Sequence, residues 1–215
     1  ILLPAALFGC IVHPKIVRDD YDQRAATIRS MGVLAPDIEF YDVTFGGIRE
    51  KNDVSSEQAN QNVVDAIKDT LAARGFEVKV IKREGERKQT LEEIAGLFEA
   101  IAWSHRAHGQ GAAPKDIFPH KAASFDYSVG PITEILDAYH VDSLILVAGG
   151  GQGNGFLLRG GAVILIALVE RTGALLWYEI QARQDGAFQT NDLRDSNSVR
   201  SMIQAMFETM PAVHK

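Results

Sequence analysis

The chain has 215 residues, 46% of them apolar and 23% charged, the proportions of a soluble globular protein. That length allows one or two domains and a core that needs neither disulfides nor a structural metal. A disordered chain, a collagen-like fibre and a polytopic membrane protein are excluded. With 22 basic against 28 acidic residues the net charge is −6, and no segment is basic enough to engage nucleic-acid phosphates.

The run Ile1-Leu2-Leu3-Pro4-Ala5-Ala6-Leu7-Phe8-Gly9-Cys10 carries no charge and ends in the single cysteine. One cysteine forms no internal disulfide and builds no cysteine-rich zinc site. The run is too short for a spanning helix, which takes about 20 residues. It fits the end of a signal-peptide h-region, so the sequence is expected to begin inside a longer precursor. Leu7-Phe8-Gly9-Cys10 resembles the lipobox of bacterial lipoproteins, with Phe8 where that family usually has Ala or Ser. The resemblance implies cleavage before Cys10 and a diacylglyceryl anchor with palmitate-type chains. Ile11, in place of the Asp that retains such proteins at the inner membrane, implies the periplasmic side of the outer membrane. The competing expectation is an ordinary buried strand, Leu7 to Val12.

Residues 11–32 read as a polar tether with a short helix between Asp19 and Ser30, and the body is expected over 33–211. Val33 to Val43 reads as a strand that Pro36 restricts to an edge or a strand start. Ser55 and Gln58 form a capping-box pattern before Ala59, Val63, Ala66, Ile67 and Leu71 at helical spacing, with Gly75 at the C-terminal cap. Phe76 to Ile81 alternates as a strand. Thr90 and Glu93 open a second helix, carrying Leu91, Ile94, Leu97, Phe98 and Ile101 to about His108.

Residues 109–126 read as a loop, followed by a helix near Pro131 with Ile132, Ile135, Leu136 and Tyr139. Ser143 to Ala148 is apolar on both faces, as a central strand requires. A Gly-rich loop over 149–161 leads to a second such strand, Ala162 to Val169, then a turn at Arg171-Thr172-Gly173 and a return strand, Ala174 to Arg183. Val199, Met202, Ile203, Met206, Phe207 and Met210 form one apolar stripe, expected to pack as core, on a last helix ended by Pro211. The order predicts an α/β fold: a single-domain sandwich with a mixed sheet, crossover helices and a late antiparallel hairpin.

Val141 to Gly149, followed by Ala167-Leu168-Val169-Glu170-Arg171-Thr172-Gly173-Ala174-Leu175-Leu176-Trp177, resembles a pattern shared by three envelope families. These are the TolB amino-terminal domain, the curli secretion lipoprotein CsgG and the activator LpoB. Glu170 stands where they often have Asp. The resemblance implies a domain that mediates assembly within the envelope without chemistry.

Candidate chemistry is sparse. Gly149, Gly151, Gly153, Asn154 and Gly155 invite a phosphate-cradle reading, but the loop leads into a strand and no Gly-Lys-Ser/Thr follows. These residues are expected instead to form a partner-contact loop. His105 and His108 lie three apart on a helix and, with Asp116 and His120, would make a metal set; a polar face near a helix C-terminus is the plainer expectation. No nucleophile elbow occurs, and paired acids such as Asp19-Asp20 and Glu92-Glu93 read as solvated surface.

The sequence therefore predicts a non-enzymatic, lipid-anchored periplasmic protein without cofactor or metal. Its work is contact with other envelope proteins, or with its own copies in a ring, as a component of a secretion, flagellar or cell-wall machine. Contact is expected at an exposed edge near Val33–Val43 and at the 149–161 loop. The alternative is a small metal-dependent or phosphate-binding enzyme using His105, His108 and that loop.

Overall fold

One mixed sheet of seven strands organises the chain in the computed structural model, which describes residues 16–44, 46–108, 125–154, 159–184 and 192–212. In chain order the elements are α1 (Tyr21–Ala25), β1 (Ser30–Leu34), β2 (Glu39–Val43), β3 (Arg49–Lys51), α2 (Asp53–Ala73) and β4 (Glu77–Ile81). They continue with α3 (Lys88–His108), α4 (Thr133–Tyr139), β5 (Ser143–Asn154), β6 (Arg159–Glu170), β7 (Leu175–Gln184) and α5 (Ser196–Glu208). The α/β sandwich with a mixed sheet and a late hairpin is as the sequence predicts.

β5 is the axis. One of its edges pairs antiparallel with β6 along its whole length. Its other edge takes two strands in succession, both parallel: Val33 of β1 lies beside Ile145, and Phe40 of β2 beside Gly151. β1 and β2 are thus one strand broken at residues 35–38. Pro36 supplies no N–H there, and α2 satisfies the break: Ile38 N–H donates to Asn60 Oδ1 at 2.8 Å and Phe40 N–H to Ser56 Oγ at 2.9 Å.

This corrects the expected edge near Val33–Val43. β1 is flanked by β4 and β5, and β2 by β5 and β3. Pro36 marks an interruption inside the sheet, which is another place where a missing donor is tolerated.

The alternation of β5 and β6 sorts the core into two layers. Ile145, Val147, Ile164, Ile166 and Leu168 pack with α1, α2 and α5, whereas Leu144, Leu146, Leu165, Ala167 and Val169 pack with α3 and α4. A bulge at Leu168/Val169 lets the consecutive Leu176 and Trp177 both enter the α2–α5 layer. Met202, Met206 and Met210 lie in that layer, as the stripe predicts, and Trp177 packs against Phe207 with ring centroids 5.1 Å apart.

The amino-terminal segment is built into this body. Val17 bridges Trp177, Tyr21 and Ala25 are buried, and β1 already begins at Ser30. The stretch expected as a tether over 11–32 is therefore packed from Val17 onward, because Val17, Tyr21 and Ile28 supply apolar surface that the composition of the segment conceals.

Local signals shift the ends of elements. α2 is capped by Asn52, whose Oδ1 accepts the Ser55 N–H at 2.9 Å, and not by Ser55. Its other end closes as read: Gly75 has φ +87° and Phe76 N–H donates back to Leu71 O. α3 starts at Lys88, behind a turn at Gly85–Arg87. The hairpin turn at Glu170–Gly173 is structural: Thr172 N–H donates to Glu170 Oε2, Arg24 pairs with Glu170 at 2.8 Å, and a Cβ on Gly173 would run into the Gly130 carbonyl.

Candidate functional site

Beyond the doubly covered core, β5 and β6 continue as a glycine-rich ribbon. Gly149 lies opposite Ile164, Gly151 opposite Ala162 and Asn154 opposite Arg159. The expected loop over 149–161 is thus corrected. Gly149, Gly151, Gly153 and Asn154 are strand residues, and Gly155, in 155–158, lies outside the described residues. Pairing on both edges satisfies the backbone, and this outweighs the poor strand propensity of glycine.

The two faces of the ribbon differ. Odd-numbered glycines face the covered side, where an added Cβ on Gly151 would lie 2.7 Å from the Phe40 ring. The buried Phe40 therefore lies across bare backbone, with the Arg194 guanidinium 4.7 Å over its ring. Arg194 is itself held by Asp192, Nε to Oδ1 at 2.8 Å and Nη2 to Oδ2 at 2.6 Å. On the other side, a Cβ on Gly150 would meet no atom nearer than Glu39 O at 3.8 Å.

That open side is the floor of a cleft of about 1020 Å³, a volume at the upper end of small-molecule pockets. One wall is α3, which presents Glu92, Gly96, Glu99 and Trp103 at helical spacing; Glu39, Tyr41, Arg49 and Arg83 also line the cleft. Lys51 Nζ donates to Glu39 Oε1 at 2.8 Å and Tyr41 Oη to Glu39 Oε2 at 2.6 Å. These bonds, the lysine's first, hold the Glu39 carboxyl below the usual carboxylate range, and the same bond pushes the Tyr41 phenol up. Arg49 sits 4.5 Å over the Tyr41 ring, and Trp103 Nε1 donates to Glu99 Oε1 at 3.2 Å.

Arg83 is the unusual member. Burial pushes its guanidinium down, against the pull of Asp37, Glu92 and Glu99. Its Nε is buried and has no hydrogen-bond partner among the described residues.

The remaining sequence candidates lie elsewhere. His105 is 2% exposed and packs edge-on against Tyr178, with ring centroids 4.8 Å apart, and near Tyr127 and Phe125. The sequence placed it on a polar face; the i, i+4, i+7 stripe of Phe98, Ala102 and His105 puts it in the α3 core layer instead. The side chain of His108 is outside the described residues, as are Asp116, His120 and Cys10. Among the described residues, no group of three or more His, Cys, Asp or Glu side chains is placed to hold a metal. The sequence missed the cleft because its walls come from four separate segments. One signal was present: Gly96 interrupts an otherwise strong helix former sequence.

No protein-family profile and no curated protein matches the chain. Solved structures to which the chain is similar include a PelC dodecamer from Paraburkholderia phytofirmans, 11% identical, covering 94% of this chain and 95% of that one, with a TM-score of 0.43. Lipoprotein GNA1162 from Neisseria meningitidis is 10% identical, covering 85% of this chain and 99% of that one, with a TM-score of 0.36. At these identities and superpositions neither assigns a function to this chain. The resemblance to the TolB, CsgG and LpoB families rests on Val141 to Gly149 and the hairpin residues Ala167 to Trp177, and these comparisons do not confirm it.

Proposed function

We propose that this protein is a lipid-anchored envelope protein of a Gram-negative bacterium, held on the periplasmic side of the outer membrane through Cys10. It acts by contact with other envelope proteins, or with its own copies, as an accessory or assembly component without catalysis. The observation that carries this reading is the lipobox-like Leu7-Phe8-Gly9-Cys10, six residues upstream of Ile16, where the described body begins. Six residue steps span at most about 20 Å. An acyl anchor on Cys10 therefore keeps the domain against the bilayer, and its surfaces work at the membrane.

No helix among the described residues is long and apolar enough to cross a membrane. Attachment by acyl chains of Cys10 is a mechanism that needs no such helix, and two or more chains suffice for stable anchoring.

The test is intact mass spectrometry of the protein expressed from its full precursor in a Gram-negative host, on membrane and soluble fractions. The reading expects a membrane-bound species that starts at Cys10 with added acyl mass, and a Cys10→Ser variant without it. A soluble, unmodified chain retaining Ile1 to Gly9 would overturn it.

A further inference from the structure

Several glycines of the sheet and its turns are demanded by the chain itself. Gly32 and Gly151 have side chains where a Cβ would go, and Gly173 has the Gly130 carbonyl. Gly96 and Gly150 are different. A Cβ on Gly96 would meet nothing within 4 Å, Gly150 has only Glu39 O at 3.8 Å, and neither has a positive φ. Glycine is the poorest helix former after proline, so its place inside α3 serves no internal need. Both residues line the same cleft, one on the helical wall and one on the floor.

The polar groups of the cleft are also incompletely used. Lys51 holds Glu39 at 2.8 Å and Lys88 reaches Glu92 at 3.6 Å, whereas Asp37 and Glu99 make no ion pair among the described residues. Arg83 offers a buried Nε–H without an acceptor. The matching occupant gives an acceptor to Arg83, a cation to the exposed carboxylates of Asp37 and Glu99, and a narrow backbone to the two glycines. Polypeptide carbonyls and a lysine or arginine side chain meet all three demands.

Building on the contact reading above, we propose that this cleft docks an extended, basic peptide segment of a partner protein. The segment passes between Gly96 and Gly150, gives a main-chain carbonyl to Arg83 and sets its basic side chain against Glu99 and Asp37.

The probe is a blocked octapeptide of alternating alanine and lysine, titrated into the isotopically labelled full chain and followed by NMR. An alternating alanine–glutamate peptide is the control. The expected result is saturable shifts centred on the Gly96 and Gly150 amides, the Trp103 indole and the Arg83 Nε–H, with the glutamate peptide at least tenfold weaker. Gly96→Leu fills the cleft without touching the core, so it should melt no lower than the parent yet bind at least tenfold more weakly. No binding, shifts spread over the acidic surface, or undiminished binding to Gly96→Leu would each overturn the proposal. An acylated Cys10 with an empty cleft refutes the groove alone; peptide binding, with a precursor that stays soluble and unacylated in the Gram-negative host, refutes the anchor alone.

Discussion

The two halves of the β5–β6 ribbon share one hydrogen-bond ladder and differ in everything attached to it. Between Ser143 and Val147, and between Ile164 and Val169, side chains alternate into two apolar layers, and every one of these residues is buried. From Gly149 to Gly153 the ladder continues, but one face is closed by Phe40, Leu193 and Arg194 while the other is open to the cleft. The backbone ladder makes the strand; the side chains decide what may lie against it. One half is committed to stability and the other is left free to meet something else.

Substitutions can break this contrast, and the largest effect is expected at the hairpin turn that supports the core half. Gly173→Ala meets the Gly130 carbonyl at a φ of +83°, and should destabilise by about 3 kcal/mol or more in urea unfolding, or prevent folding. Leu165→Ala, fully buried in the α3–α4 layer, should cost about 2–5 kcal/mol in the same assay. In the glycine half the cost should alternate with residue parity. Gly151→Ala presses on Phe40 and should cost about 1–3 kcal/mol, whereas Gly150→Ala should stay within about 0.5 kcal/mol of the parent. Equal effects at 150 and 151 would contradict the two-faced ribbon.

Asp142 joins the start of β5 to that of β1 and sharpens the comparison through pH. Its Oδ2 accepts from Arg29 N–H, Ser30 N–H and Ser30 Oγ–H at 2.8–2.9 Å. Burial pushes the carboxyl up, but these donors, with Arg171, outweigh it and leave the pKa below the ordinary value. A depressed carboxyl stabilises the fold fully above its unfolded pKa, about 3.9, and that stability is lost as pH falls through the folded value. Asp142→Asn should therefore cost about 1–3 kcal/mol at neutral pH and flatten the acid limb of a melting-temperature profile. A small effect of opposite sign is expected at Gly96→Ala, which should raise stability by about 1 kcal/mol by helix propensity alone.

Much of the core half was legible in the sequence because its signal is local. The unbroken apolar runs over Ser143–Ala148 and Ala162–Val169, and the stripe from Val199 to Met210, state their own period. The glycine half was not, because glycine carries no periodicity; Gly151 is held extended by Phe40, more than a hundred positions away in the chain. The central place of β1 was hidden for a similar reason. Pro36 marks a missing donor, and only the register with β5 shows that the gap lies inside the sheet. His105 read as polar by type, although its spacing from Phe98 and Ala102 already put it on the apolar stripe. The cleft needed the tertiary fold to assemble Tyr41, Arg83, Gly96 and Trp103.

The docking surface proposed above is the open face of the glycine half and not the surface at large. Site-specific photocrosslinking tests it, with benzoylphenylalanine placed at Glu92 and at Trp103, exposed residues that line the cleft, and at the exposed Gln61 of α2, in the full precursor expressed in a Gram-negative host. Discrete adducts are expected from the first two positions and none from the third. Adducts of equal yield from all three, or none from Glu92 and Trp103, would contradict it.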